Sequence, residues 1–126
     1  MIETRKGTIR NEIFARPGIK GFTVQIGERL EKCIAYTNLV GDIKPGDEVL
    51  LNTTAVALKL GSGGFHYIIT ALNPGQQNLT PGGHIMKLRY TPLQLKVLSV
   101  EEEDGPFHEE MAQADNLQKT PVLVAT

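Results

Sequence analysis

The stretch from Val49 to Ile69, VLLNTTAVALKLGSGGFHYII, constrains the fold of this chain most strongly. An apolar segment, a polar Asn52-Thr53-Thr54 step and a glycine-rich loop at Gly61–Gly64 lead into a β-branched and aromatic run, which is typical of a strand. Two buried strands joined in this way form a centre with which other strands can pair. Residues 53–60 between them are compatible with a short helical turn, capped by Thr53 or Thr54, or with a further strand.

The remaining apolar patterns of the first hundred residues also predict strands. Residues 7–14, 21–26 and 30–37 alternate apolar and polar side chains, and turn signals separate them, so they predict a three-stranded antiparallel meander. Residues 84–90 and 93–100 predict two more strands. With 13 glycines and 7 prolines, the chain is expected to be mainly β. We expect residues 1–100 to form a small antiparallel, partly open barrel, OB-like or similar.

Residues 101–126 predict a different organisation. An acidic linker at Glu101–Asp104 precedes a predicted helix over Pro106–Gln118, and the all-apolar run Pro121–Ala125 is typical of a strand buried on both faces of a parallel sheet. We expect this one C-terminal helix and terminal strand to begin a truncated α/β domain. The expected partner is then the C-terminal α/β domain of the same longer chain, with a homodimer as the alternative.

Charge and cysteine content limit the classes of partner. Residues 1–100 carry a net charge of +5 and residues 101–126 a net charge of −6, which permits contact of the first part with phosphates without requiring it. The single cysteine, Cys33, excludes an internal disulfide and is expected to be a small buried hydrophobe. Because there is no signal peptide and no apolar run of about 20 residues, we expect a cytoplasmic protein without a membrane partner.

Polar residues near the central strands are the candidates for ligand binding. A glycine-rich turn can present backbone N–H groups to an anion, but Gly61–Gly64 has neither the Walker pattern nor the dinucleotide fingerprint, and a tight turn explains it as well. His66 alternates with Tyr67, so one of the two faces the core. The candidates are Asn52, Thr53, Thr54, Ser62, Gly63, Gly64, His66, Lys87, Arg89 and Tyr90. Three histidines without short ligand spacing predict no metal site, and we expect neither a cofactor nor a catalytic residue.

Two blocks of the sequence carry a resemblance. The segments LNTTAVALKLGSGG and GHIMKLRYTPLQ together resemble an uncharacterised bacterial family of unknown function, along the chain from Lys6 to Thr126. The resemblance implies that this chain corresponds to the N-terminal part of a longer protein that continues into a larger domain. It implies no activity, ligand or catalytic residue.

Three functions are compatible with these observations. The favoured one is a noncatalytic β-module that docks on or gates a larger α/β domain, because the terminal apolar run lacks partners and no catalytic pattern is readable. The second is a small-barrel nucleic-acid-binding module that uses Arg10, Lys87, Arg89 and Tyr90. Against it, the four Phe and three Tyr form no cluster on one strand, whereas base-stacking surfaces use several rings. The third is part of a phosphate- or nucleotide-binding enzyme that uses Gly61–Gly64.

Overall fold

Seven strands and three short helices form in residues 1–75 and 79–125, which are the residues that the computed structural model describes. The strands are β1 (Thr4–Arg16), β2 (Ile19–Ile26), β3 (Arg29–Tyr36), β4 (Glu48–Asn52), β5 (Phe65–Ala71), β6 (Ile85–Lys87) and β7 (Leu95–Val97). The helices are α1 (Thr37–Val40), α2 (Thr54–Ala57) and α3 (His108–Gln113). The chain divides into two units, Met1–Asn78 and Leu79–Thr126, which we call the barrel unit and the second unit.

The long strand β1 closes the barrel unit. Its first part, Thr4–Thr8, pairs antiparallel with β4, and Thr8–Arg16 pairs antiparallel with β2, so Thr8 pairs with both strands. The register shifts between Ile9 and Glu12 and again between Glu12 and Phe14, and such bulges bend a strand. Because β1 is long and bent, it shares its two parts between two neighbours, which gives the closed order β1-β2-β3-β5-β4.

The predicted mainly β barrel is confirmed, with two differences in detail. The barrel is closed rather than partly open, and β3 and β5 pair in parallel rather than antiparallel. The parallel pair arises because β4, which lies between them in sequence, pairs with β1 and β5 instead of β3, and a parallel pair needs such a crossover. The predicted meander of β1, β2 and β3 is present.

Ten buried hydrophobic residues fill the barrel interior. They are Ile9, Phe22, Val24, Cys33, Ala35, Val40, Ile43, Val49, Leu51 and Ile68. Alternate residues of each strand point inward, so Cys33 faces this core, and burial raises the pKa of its thiol to about 12. The prediction that Cys33 is a small buried hydrophobic residue is therefore confirmed. The alternative left open for residues 53–60 resolves to a helical turn, α2, rather than a strand.

The second unit contains the short hairpin of β6 and β7, with Ile85 opposite Val97, and helix α3. Both strands are shorter than predicted, and at Leu88 the backbone turns to a φ of 49°, which ends β6. The helix is also shorter than the predicted span 106–118, because Ala114 already has extended backbone. Among the described residues of this unit, Gly83 alone is buried.

The predicted terminal strand is absent from the described residues, and the predicted loop before β6 is described only in part. Residues 121–125 form no strand, because a strand needs a hydrogen-bonded partner and none of the described strands pairs with them. The two Pro-Gly steps within residues 73–83 predict a long loop, and residues 76–78 of this range lie outside the described residues. An α/β domain that begins after residue 100 stays a prediction. No helix in the described part of the chain is long and apolar enough to cross a membrane.

Candidate functional site

A polar cleft lies at one end of the barrel. The start of β1, the turn between β2 and β3, helix α2 and the start of β5 surround a cavity of about 570 Å³. Its charged and titratable lining consists of Glu3, Arg5, Glu28, Arg29, Glu31 and His66. Three carboxylates and two guanidinium groups nearly balance, so the cleft offers both hydrogen-bond acceptors and donors to a polar ligand.

His66 is the buried titratable group of this cleft. Its register partner on β3 is Cys33, so His66 faces inward, and it is 3% exposed. Of the two neighbours His66 and Tyr67, His66 is therefore the residue that faces the core, and Tyr67 faces outward. The Nε2 atom of His66 lies 2.7 Å from Oε2 of Glu31, whereas Nδ1 is buried and has no hydrogen-bond partner within the described residues. The Glu31 carboxylate therefore fixes the ring through one nitrogen.

The predicted residues Asn52, Thr53 and Thr54 hold the corner between β4 and α2. Thr53 is 2% exposed, and its hydroxyl donates to Oε1 of Glu3 at 2.8 Å while its N–H donates to the carbonyl of Glu3 at 2.9 Å. The N–H of Glu3 donates to Oγ1 of Thr54 at 2.9 Å, and the N–H of Thr54 donates to Oδ1 of Asn52 at 3.1 Å. These bonds tie the start of β1 to the corner.

The same contacts affect the acidity of Glu3. The hydrogen bond from Thr53, followed by the hydrogen bond from Arg5, holds the pKa of the Glu3 carboxyl below its usual value. The Nε atom of Arg5 lies 3.2 Å from Oε1 of Glu3. At neutral pH this end of the cleft therefore carries an ionised Glu3 carboxylate that already accepts hydrogen bonds from Thr53 and Arg5.

The glycine-rich loop leads from α2 into β5. Gly63 and Gly64 have φ values of 60° and 76°, which favour glycine, and the N–H of Phe65 donates to the carbonyl of Ser62 at 3.1 Å. The turn requirement alone accounts for these glycines. The Ser62 hydroxyl is buried without a hydrogen-bond partner among the residues described. Binding of a phosphate or nucleotide by this loop stays a prediction.

The other predicted residues belong to the second unit. Lys87 ends β6, and Arg89 and Tyr90 lie in the turn that follows. All three side chains are exposed. The structure thus pairs Thr53 with Glu3 and His66 with Glu31 in the barrel unit. It assigns Lys87, Arg89 and Tyr90 to the second unit.

Sequence reasoning missed a cluster of aromatic rings on the outside of the barrel. Phe14 and Phe65 meet edge to face, with ring centroids 6.4 Å apart, and Tyr36 and Tyr67 stack with centroids 6.1 Å apart and an 8° angle between the rings. The rings come from β1, β3 and β5, which are distant in sequence, so no single strand shows the cluster. The alternation of side chains along each strand indicates which rings point outward. It does not show that these rings meet, because that depends on the pairing of β3 with β5.

Comparison with known proteins gives one match. The model of a family described as "Protein of unknown function (DUF3866)" matches residues 32–126. The chain belongs to the DUF3866 family. Both blocks that carried the resemblance lie within the matched residues, so the expected membership of an uncharacterised family is confirmed. No curated protein and no solved structure matches the chain.

The part matched by the DUF3866 model includes the whole second unit, which exposes many large hydrophobic residues. Thirteen large hydrophobic residues of this unit are exposed: Leu79, Met86, Leu88, Tyr90, Leu93, Leu98, Val100, Phe107, Met111, Leu117, Val122, Leu123 and Val124. The barrel unit exposes eight such residues over a longer stretch of chain. Where such residues form a large contiguous patch, the patch is typical of a contact site for another molecule.

Proposed function

We propose that this chain is a noncatalytic β-module that docks on, or gates, a larger α/β domain of the same longer chain. The observation that carries the proposal is the exposed apolar surface of the second unit, together with the absence of a hydrophobic core among its described residues. Each large apolar side chain contributes about 1.5–3 kcal/mol when it becomes fully buried. Burial of several of these side chains against a partner therefore supplies a driving force for docking, which the ordering costs of association partly offset.

The run Pro121–Ala125 supports an α/β domain as the partner. Val122, Leu123 and Val124 are 65%, 99% and 84% exposed, although such a run is typical of a strand covered on both faces. A parallel sheet supplies both the missing hydrogen-bond partners and the helices that cover its faces. Within its described residues, the single parallel pair of this chain, β3 with β5, lies inside the closed barrel, so a second copy offers no open parallel sheet for this run.

The barrel supplies the rigid part of the proposed module. Its five strands close in the order β1-β2-β3-β5-β4, and its core is fully buried. We infer that this barrel is OB-like, because it is a small barrel of five strands. We also place the module in the cytoplasm, which agrees with its single free thiol at Cys33.

Separate production of the two parts tests the docking proposal. Residues 1–126 and the α/β region encoded after residue 126 are purified separately, mixed, and analysed by calorimetry and size-exclusion chromatography. We expect a complex that the change Leu123→Asp weakens by at least tenfold, because it places a charge in the apolar contact. The matched control is Leu30→Asp, on the barrel, where the leucine is also exposed; this variant should bind as the unchanged chain does.

Two results would contradict the proposal. One is a reading frame that encodes no α/β region after residue 126. The other is the absence of a complex, with the isolated chain instead forming a dimer that Leu123→Asp dissociates; this outcome assigns the apolar surface to a second copy.

A further inference from the structure

The outer surface formed by β1, β2, β3 and β5 has a composition that the docking proposal does not use. Cross-strand partners lie on the same face of a sheet, so the strand register arranges the side chains of this surface in rows. The three rows are Arg16, Ile19 and Tyr36; Phe14, Gly21, Ile34 and Tyr67; and Thr23, Lys32 and Phe65. We call these ten positions the outer aromatic face.

The alternation of the strands places this face outside the barrel. On β3, Cys33 and Ala35 point into the core, so Lys32, Ile34 and Tyr36 point outward. On β5, His66 and Ile68 point inward, so Phe65 and Tyr67 point outward. Four of the seven aromatic residues of the chain thus share one outer surface.

The rings are fixed by contacts with one another and with the sheet. A Cβ atom added at Gly21 would lie 2.2 Å from Cε1 of Phe14, so the glycine allows the Phe14 ring to lie flat across β2. That ring meets Phe65 edge to face, and Tyr36 stacks on Tyr67. Tyr36 remains 43% exposed, which leaves the stacked pair accessible from solvent. The face therefore presents rigid ring surfaces that need little ordering on binding.

The charges of the face select the class of ligand. Its ten positions include two cations, Arg16 and Lys32, and no acidic residue. The ammonium of Lys32 lies 4.5 Å from the centroid of the Phe65 ring, so positive charge sits directly beside the rings. Stacking rings interleaved with cations match an anionic polymer of flat bases, whereas a neutral sugar or a proline-rich peptide uses the rings but not the cations.

We propose that the outer aromatic face binds single-stranded nucleic acid, with bases stacked on Tyr36 and Tyr67 and phosphates contacting Arg16 and Lys32. The face crosses three strand spacings, roughly 14 Å, which accommodates a short single-stranded segment. Because every base has a stackable ring and the face offers few base-specific groups, binding is expected to tolerate sequence changes. The proposal concerns the barrel unit and is independent of docking by the second unit.

Fluorescence anisotropy with a labelled short oligothymidine tests the stacking contacts. Tyr36→Ala and Tyr67→Ala should each weaken binding roughly 10- to 100-fold. Tyr36→Phe should bind nearly as the unchanged chain does, because the ring is retained. Tyr90→Ala makes the same truncation at an exposed tyrosine of the second unit and should leave the affinity unchanged. Circular-dichroism melting of each variant confirms that the barrel remains folded.

The salt dependence tests the phosphate contacts. Two neutralised phosphates on a single strand predict a slope of about −1.4 in log affinity against log salt. The double change Arg16→Ala and Lys32→Ala should bring this slope close to zero, whereas Lys87→Ala with Arg89→Ala in the second unit should not change it.

Three outcomes would overturn the proposal. They are the absence of oligothymidine binding at low salt, binding that the second-unit variants weaken instead of Tyr36→Ala and Tyr67→Ala, and displacement of the oligonucleotide by a proline-rich peptide or an oligosaccharide at lower concentration than unlabelled oligothymidine.

Discussion

The barrel unit and the second unit both contain antiparallel strands, but different interactions stabilise each unit internally. The barrel has ten buried hydrophobic residues, whereas the hydrophobic core contains none from the described second unit. In the second unit, charged side chains bond to the backbone instead. The Lys96 ammonium donates to the carbonyls of Thr80 and Gly82. The Glu102 carboxylate accepts from the N–H groups of His84 and Ser99. Polar contacts can shape a hairpin, but packing gives it stability.

This difference has a thermodynamic consequence. Regions with few buried apolar contacts open at low free-energy cost, while core strands open only when the whole unit unfolds. A two-stranded hairpin without a packed face is marginal in water. We therefore expect the barrel to unfold cooperatively on its own and the second unit to depend on a partner that covers it.

The same truncation in the two units should give the largest contrast. Phe22→Ala removes a fully buried ring from the barrel core and should lower the free energy of unfolding by about 3–5 kcal/mol. Phe107→Ala removes a ring that is 57% exposed and should change it by no more than about 0.5 kcal/mol. Urea unfolding followed by circular dichroism measures both. Equal losses would mean that the second unit shares the barrel core.

Backbone strain should act on the second unit alone. Gly83 has a φ of 79°, and a Cβ atom there would lie 2.5 Å from the carbonyl oxygen of Val97, so Gly83→Ala should disrupt the hairpin of β6 and β7. Gly82→Ala is the control, because φ is 71° but the nearest atom would be 3.7 Å away; it carries only the strain of about 1–2 kcal/mol. Amide NMR spectra should show loss of hairpin signals in Gly83→Ala and unchanged barrel signals. Shifted barrel signals would contradict the independence of the units.

The smallest expected effect is a dependence of the hairpin on pH. Hydrogen bonds from the N–H groups of Ser99 and His84 hold the pKa of the Glu102 carboxyl below its ordinary value of 4.5. The stabilisation is therefore complete above pH 4.5 and is lost as the pH falls through the lower pKa of the folded hairpin. Glu102→Gln should weaken the hairpin at neutral pH and flatten its acid transition, whereas the exposed control Glu103→Gln should leave that transition in place. Amide NMR between pH 7 and 3 follows both; an unchanged transition in Glu102→Gln would remove this role from Glu102.

Local pattern was sufficient for much of the barrel. The meander of β1, β2 and β3 follows from side-chain alternation and two turn signals, and the assignment of Cys33 to the core follows from the same alternation. Closure of the barrel and the parallel pairing of β3 with β5 were not predictable in this way. Both depend on the bulges of β1 and on the pairing of β4 with β1 and β5.

Sequence patterns were less informative for the second unit and for the sites. The apolar runs over 84–90 and 93–100 predicted longer strands, but a pattern does not say whether a packed face exists to extend them. Of the predicted site residues, His66 lines the cleft, and Thr53 bonds Glu3, which also lines it. The outer aromatic face was missed because its rings come together only through strand pairing.

Native-state hydrogen exchange of residues 1–126 at low protein concentration tests the central claim most directly. We expect slow exchange at the amides of Phe22, Val24 and Cys33 in the barrel, limited by unfolding of the whole unit. We expect exchange many times faster at Leu95–Val97 and Val122–Val124, with protection that appears only when the proposed α/β partner region is added. Equal, concentration-independent protection of both units in the isolated monomer would contradict the claim that the second unit depends on a partner.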